Sequence, residues 1–194
     1  MNRATALFIS VNATPMNSHI QILDHQFRPF ISASEIDKTV HTLAERISAD
    51  YNTRNPLLCP VLTGSYLFAA DLSRALSIPH EVQFVRYTSY DGLASTGTVQ
   101  EVLPFDSHCT GRHVIIVEDV VDTGLSMQTM LHKLYALHPL SVAICSFFFK
   151  PDAFKGDFKI DYIGRNLTND FIVGYGLDYN GAGRHYGEVY VIDD

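Results

Sequence analysis

The chain has 194 residues, 46% hydrophobic and 18% charged, ordinary apolar usage at low charge that argues against disorder. One domain of that length buries roughly 70% of the surface its unfolded chain exposes, so it needs no disulfide or metal staple. Its 14 Lys and Arg against 21 Asp and Glu leave a net charge of −7. A nucleic-acid or anionic-membrane partner calls for a basic face or tail, and none is visible. Any anionic ligand must be held by local geometry.

Cys59, Cys109 and Cys145 form no Cys-x-x-Cys pair. Three reduced, mostly buried thiols in a cytoplasmic protein are expected, rather than a disulfide framework or a zinc site. The nine histidines include no pair at a metal-ligand spacing beside a carboxylate. The apolar runs at 114–117 and 143–149 are far too short to span a bilayer. Residues 1–18 lack the apolar length of a signal peptide and read as a loose extension, with Met16 an alternative start. Residues 19–194 read as one domain.

Residues 20–23 and 27–31 read as short opening strands. Ser32 and Glu35 form a capping box, after which Ile36, Val40, Leu43, Ala44 and Ile47 predict a helix to about Asp50. Residues 52–56 break it. A buried strand is expected at 57–62 in spite of Pro60, a second helix at 64–76 and a strand at 82–87. Residues 90–98 are polar, hinged at Gly92 and Gly97, with a strand at 99–103 beyond. A strand at 114–117, a helix at 125–137 and a strand at 142–149 follow. Short strands at 162–164, 171–173 and 189–192 finish the chain. Apolar strands alternating with helices imply a doubly wound α/β domain, a mostly parallel sheet with helices on both faces. The terminal segments add a small hood. Ligands of such sheets sit beyond the carboxyl ends of the strands.

The strand at 114–117 runs into Glu118, Asp119, Asp122, Thr123, Gly124 and Ser126, and then a helix. Gly124 permits a tight turn, and the two hydroxyls flank free N–H groups at a helix N-terminus. Oriented donors and the helix dipole favour a phosphate there. Three carboxylates beside such a cradle suit sugar hydroxyls, a divalent metal or a proton in transfer. The bland reading is a helix capped by a single Asp, which does not account for three acids and a glycine turn.

Residues 114–126 resemble the phosphoribosyl-pyrophosphate signature of type I phosphoribosyltransferases: an apolar row, two acids, two apolar residues, then Asp122-Thr123-Gly124-Leu125-Ser126. Other segments resemble the hypoxanthine/guanine branch, and the likeness runs from about Ile20 to Ile192. Residues 57–71 are similar to its first loop and helix, and 84–97 to its mobile loop with the Ser89-Tyr90 pair. Phe149-Lys150 resembles its purine-reading lysine. Residues 171–180 with Arg184 resemble its purine-stacking and pyrophosphate segment.

The resemblance implies the type I fold and a cytoplasmic purine-salvage reaction. A 6-oxopurine (hypoxanthine or guanine) and 5-phosphoribosyl 1-pyrophosphate would give IMP or GMP and pyrophosphate, on a homodimer or homotetramer. Asp122 is then the general base for the purine N7 proton. Glu118 and Asp119 hold the ribose hydroxyls, directly or through Mg2+, with Asp178 as a third metal carboxylate. Thr123, Gly124, Leu125 and Ser126 hold the 5′-phosphate, while Leu62, Thr63, Gly64 and Arg184 meet pyrophosphate. Lys150 donates to the purine O6, Phe171 stacks on the base, and Ile172 and Asp178 border its 2-position. Ser89 and Tyr90 act as a lid excluding water from an oxocarbenium-like centre. Thr63 departs from the Lys or Arg that many members carry before the loop glycine, which puts links to a neighbouring subunit in doubt. In the family that peptide is often cis.

Two other readings compete. A non-catalytic sensor of the same ligand needs a nucleic-acid face, which this acidic chain lacks. A xanthine-preferring enzyme is the other, since discrimination at the 2-position depends on backbone carbonyls near Ile172 and Asp178 that sequence does not position. Lys150 and the 171–178 segment disfavour pyrimidine and orotate, and Asp119 and Asp122 are wrongly spaced for an Asp-nucleophile phosphatase.

Overall fold

A computed structural model describes residues 19–89 and 99–193. Alternating burial at the start gives β1 (Ile20–Ile22) and β2 (His25–Ile31), paired antiparallel with Ile20 opposite Phe27. Helix α1 (Ala33–Asp50) opens on the expected capping box. Ser32 Oγ accepts from the Glu35 N–H at 3.3 Å, and the Ser32 N–H donates to Glu35 Oε2 at 3.1 Å. The expected apolar stripe of α1 is its buried face. Next come β3 (Leu57–Pro60), α2 (Tyr66–Ala75), β4 (Glu81–Val82), β5 (Arg86–Ser89) and β6 (Val99–Leu103). The second half holds β7 (His113–Val121), α3 (Leu125–Tyr135), β8 (Ser141–Phe149), β9 (Tyr162–Asn166), β10 (Ile172–Val173) and β11 (Val189–Ile192).

The central sheet has the order β4-β3-β7-β8-β9, every neighbouring pair parallel. Successive side chains point to opposite faces. Leu58, Ile115, Val117, Cys145 and Phe147 join α1 and α2 in one core, and Leu57, Cys59, Val114, Ile116 and Ile144 join α3 in the other. Helices therefore cover both faces, as the alternating pattern implies. Pro60 fits because its carbonyl, and so its missing N–H, faces the β4 side, where the regular ladder has ended. That carbonyl accepts from the Val85 N–H at 2.9 Å.

The strand expected at 57–62 ends at Pro60 and the helix expected at 125–137 at Tyr135, and three further shifts matter more. The expected strand at 82–87 is two elements: β4 stays on the parallel sheet, whereas β5 turns away to pair antiparallel with β6. The change of partner interrupts a stretch that apolar pattern alone reads as continuous. Helix α2 begins at Tyr66, leaving Gly64 and Ser65 in the loop before it. Strand β7 continues to Val121, so Glu118 and Asp119 stand within the strand rather than after it.

The terminal segments form a second, antiparallel sheet, β1-β2-β11-β10. This is the expected hood. Cys59, Cys109 and Cys145 are free and buried. Among the described residues no helix is long and apolar enough to cross a membrane. The amino-terminal extension and the polar loop at 90–98 lie outside the described residues.

Candidate active site

Strand register assembles the site. Val121 pairs with Phe149, so Asp122 and Lys150 leave adjacent strands at one level, with Lys150 Nζ 3.3 Å from Asp122 Oδ2. The Lys150 side chain is 15% exposed and the Asp122 side chain 50%. The lysine thus threads its stem along an apolar wall and meets the carboxylate at the solvent edge. Pro60 pairs with Val117, which brings out the loop at 62–65 beside Glu118 and Asp119. A β-carbon on Gly64 would lie 1.5 Å from Asp119 Oδ2, so only glycine allows that approach. The Leu62–Thr63 peptide is cis, as the resemblance implied.

Gly124 caps α3 in the left-handed region at φ 81°, and Thr123 Oγ1 accepts from the Leu125 N–H at 3.5 Å. First-turn N–H groups have no carbonyl one turn behind them. The turn opens on a cavity of about 130 Å³ lined by Glu118, Asp122, Thr123, Gly124 and Ser126, with Val120, Val121 and Met127. Leu125 turns a 59% exposed side chain outward, so its contribution is its backbone. An adjoining cavity of about 460 Å³ carries Leu62, Thr63, Gly64, Glu118, Asp119, Ser126, Asp178 and Arg184 on its wall.

Electrostatics differ along this wall. Burial, with the Asp119 carboxylate beside it, pushes the Glu118 carboxyl well above the usual carboxylate range. Glu118 Oε1 accepts from the Asp119 N–H at 3.2 Å and Asp119 Oδ1 from the Val120 N–H at 2.8 Å. Asp178 is held by protein groups: its Oδ1 lies 2.7 Å from Arg184 Nη2, and its Oδ2 accepts from the Gly181 N–H at 2.7 Å. Among the described residues no three His, Cys, Asp or Glu side chains gather closely enough to hold a metal ion. The expected carboxylate trio shares a cavity without forming a cage.

The residues expected on the purine side are less gathered. Phe171 is 44% exposed on the hood and meets the rings of Phe27 and Tyr179, and it is on neither cavity wall. The Ile172 side chain is buried in the core, leaving its backbone for a ligand. Ser89 ends β5 opposite Val99, and Tyr90 lies outside the described residues.

Several supporting residues escaped sequence reasoning. The buried Ser65 hydroxyl donates to the Val61 carbonyl at 2.6 Å and pins the first loop. Tyr87 lines the larger cavity. Phe154 and Phe158 meet edge to face at 5.1 Å behind the Gly124 turn, where a β-carbon on Gly124 would lie 2.7 Å from the Phe154 ring. The available clue was two phenylalanines flanking Gly156 just after Lys150.

Residues 32–180 match the model of the phosphoribosyl transferase domain. The chain is 36% identical over 170 residues to hypoxanthine-guanine phosphoribosyltransferase of Mycobacterium tuberculosis (strain ATCC 25618 / H37Rv), covering 84% of each chain. It is 33% identical over 176 residues to the hypoxanthine-guanine phosphoribosyltransferase of Aquifex aeolicus, covering 90% of this chain and 99% of that one. A crystal structure of a hypoxanthine-guanine phosphoribosyltransferase from Bacillus anthracis superposes with a TM-score of 0.81 at 30% identity, covering 85% of this chain and 98% of that one. A Trypanosoma cruzi hypoxanthine phosphoribosyl transferase does so with a TM-score of 0.81 at 31% identity, covering 90% and 95%. Motif, sheet and relatives agree, and the chain belongs to the phosphoribosyltransferase family.

Proposed function

We propose that the protein is a purine-salvage enzyme that transfers a 5-phosphoribosyl group from its pyrophosphate donor to hypoxanthine or guanine. The observation that carries this reading is the Asp122–Lys150 pair, 3.3 Å apart beside the Gly124 turn. A proton acceptor and a cation meet at one end of a phosphate cradle, as a base with an acidic N–H and a carbonyl oxygen requires.

In the reaction the bond from the anomeric carbon to pyrophosphate breaks as the bond to purine N9 forms. Asp122 accepts the N7 proton, and Lys150 donates to O6. Thr123, Gly124, Leu125 and Ser126 hold the 5′-phosphate through backbone N–H groups and hydroxyls. Glu118 and Asp119 hold the ribose hydroxyls, and the Asp119 carboxylate favours positive charge on the ring electrostatically. Leu62, Thr63, Gly64 and Arg184 bind the leaving pyrophosphate, Phe171 stacks on the base, and Ser89 with Tyr90 closes over it. Glu118, Asp119 and Asp178 are hard oxygen donors on one cavity wall. That set suits Mg2+ arriving with diphosphate oxygens better than an all-protein cage. When bound, Mg2+ would neutralise charge on the leaving group.

A spectrophotometric assay with hypoxanthine, guanine, xanthine, adenine and uracil, each with the donor and Mg2+, tests the reading. Turnover of hypoxanthine or guanine with adenine and uracil inert is expected. Turnover of xanthine alone, or of no base, would overturn it. A cytoplasmic homodimer or homotetramer belongs to the same proposal. The three buried free thiols suit a reducing compartment, and light scattering on the purified protein measures the assembly.

A further inference from the structure

Tyr175 is on neither cavity wall of the site and has no part in the reaction above. Its side chain is buried at 5% exposure, and its backbone is left-handed at φ 49°, a conformation that a bulky residue adopts only when its surroundings impose it. The hydroxyl donates to Asp71 Oδ2 on α2 at 2.9 Å, and Asp71 Oδ1 accepts from Arg74 at 2.8 Å. Burial and the Asp71 carboxylate push the phenol pKa upward, so it stays a donor.

The next residue makes that tether matter. A β-carbon on Gly176 would lie 2.0 Å from the Gly64 carbonyl oxygen, so the two backbones are in direct contact. The Gly176 N–H donates to the Arg184 carbonyl at 3.0 Å, and Arg184 Nη1 donates to the Gly176 carbonyl at 2.6 Å. Gly176 thus carries the Gly64 loop on one side and Arg184 on the other. Asp71 lies on the helix that the Gly64 loop begins. We infer that Tyr175 and Asp71 are a positioning pair, clamping the hood to α2 so that the Gly64 loop and Arg184 are held in register for the diphosphate. This rests on the assignment of those two elements to pyrophosphate.

A purely structural role predicts a different pattern. The Tyr175 ring also packs on Phe147 at 5.3 Å, which in turn meets Phe68 of α2 at 5.1 Å. Tyr175→Phe keeps that packing and removes only the tether. In the full-length protein, Tyr175→Phe is expected to raise the KM for the phosphoribosyl donor, and for pyrophosphate in the reverse reaction, about three- to tenfold. The purine KM should stay within about twofold and the Tm within a few degrees. Asp71→Ala should reproduce the effect, and the double variant should add little to either. Asp71→Asn keeps an acceptor for the hydroxyl and should restore most of the donor KM. Arg184→Ala serves as the reference. If it leaves the donor KM unchanged, the pyrophosphate assignment fails and takes the inference with it. If Arg184→Ala raises the donor KM while Tyr175→Phe does not, or Tyr175→Phe shifts both KM values together with a lowered Tm, the positioning role fails and the assignment stands.

Discussion

Asp122 offers a substitution that changes chemistry and almost nothing else. Asn has nearly the same size and still accepts one hydrogen bond, but it cannot take the N7 proton. General base catalysis contributes about 10²–10⁴-fold, so kcat of Asp122→Asn should fall within that range while the donor KM moves little. Glu118→Gln and Asp119→Asn should instead raise the donor KM as well as lower kcat, since in the proposed mechanism those acids hold the ribose before and during the reaction. Steady-state kinetics with circular dichroism as a folding control separates the two patterns. Lys150→Met removes the proposed donor to O6 and leaves the Gly124 turn intact. A hydrogen bond to a charged group contributes about 1.5–3 kcal/mol, so kcat/KM for guanine should drop by one to two decades with the donor KM unchanged. Glu118, Asp119 and Asp122 were legible because the motif packs them into one contiguous run at the end of an apolar strand, and Lys150 because it closes the next apolar strand. Phe154 and Tyr175 were not, because each acts through a partner far away in sequence whose position only tertiary packing sets; Ser65 was not, because its bond to the nearby Val61 carbonyl exists only once the first loop has turned.

Elements were legible where one local rule decides them. Helix α1 has its cap and its apolar stripe written within eighteen residues, and β7 and β8 are apolar runs that only a doubly covered sheet accommodates. The 82–87 stretch was misread because its apolar pattern does not record that the chain changes partners between Val82 and Arg86. The cap itself carries a pH signature. The Ser32 backbone N–H, then its hydroxyl and Arg165, hold the Glu35 carboxyl below the usual glutamate range. A carboxyl lowered in the folded state stabilises the fold above its unfolded pKa, and that contribution is lost as pH falls through the folded value. The Tm advantage of the native chain over Glu35→Ala should therefore be full near neutral pH and shrink below about pH 4. Ser32→Ala should cost about 1 kcal/mol at neutral pH. Thermal melts at the two pH values check both, and a Glu35→Ala deficit that persists unchanged in acid would contradict the capping account.

On the scale of the whole molecule, the first two and last two strands share the hood sheet, and that sheet is continuous with the main core. Strand β11 lies between β2 and β10, with Val189 and Val191 packed into the core of α1 and α2 and Tyr190 packed with Ile22, Phe27 and Val173 on the other side. The Ile192 N–H also donates to the Phe171 carbonyl at 3.0 Å, tying the start of the 171–180 segment to the last strand. All three side chains from Val189 to Val191 are at most 2% exposed, and burying each contributes about 1.5–3 kcal/mol. Their sum is comparable to the entire stability of an ordinary domain, about 5–15 kcal/mol. A chain ended at Gly187 should therefore lose its cooperative melt and its activity together, instead of shedding the hood from an intact parallel sheet. Trimming the other end to begin at Met16 is expected to leave activity and Tm nearly unchanged, since residues 1–15 show neither strand alternation nor a cap. Circular dichroism melts and turnover of both truncations, beside the full chain, make the comparison. A Gly187-terminated chain that melts cooperatively within a few degrees of the full chain would mean that the hood is an appendage, and that the contacts of β11 with the α1 and α2 core contribute little to the fold.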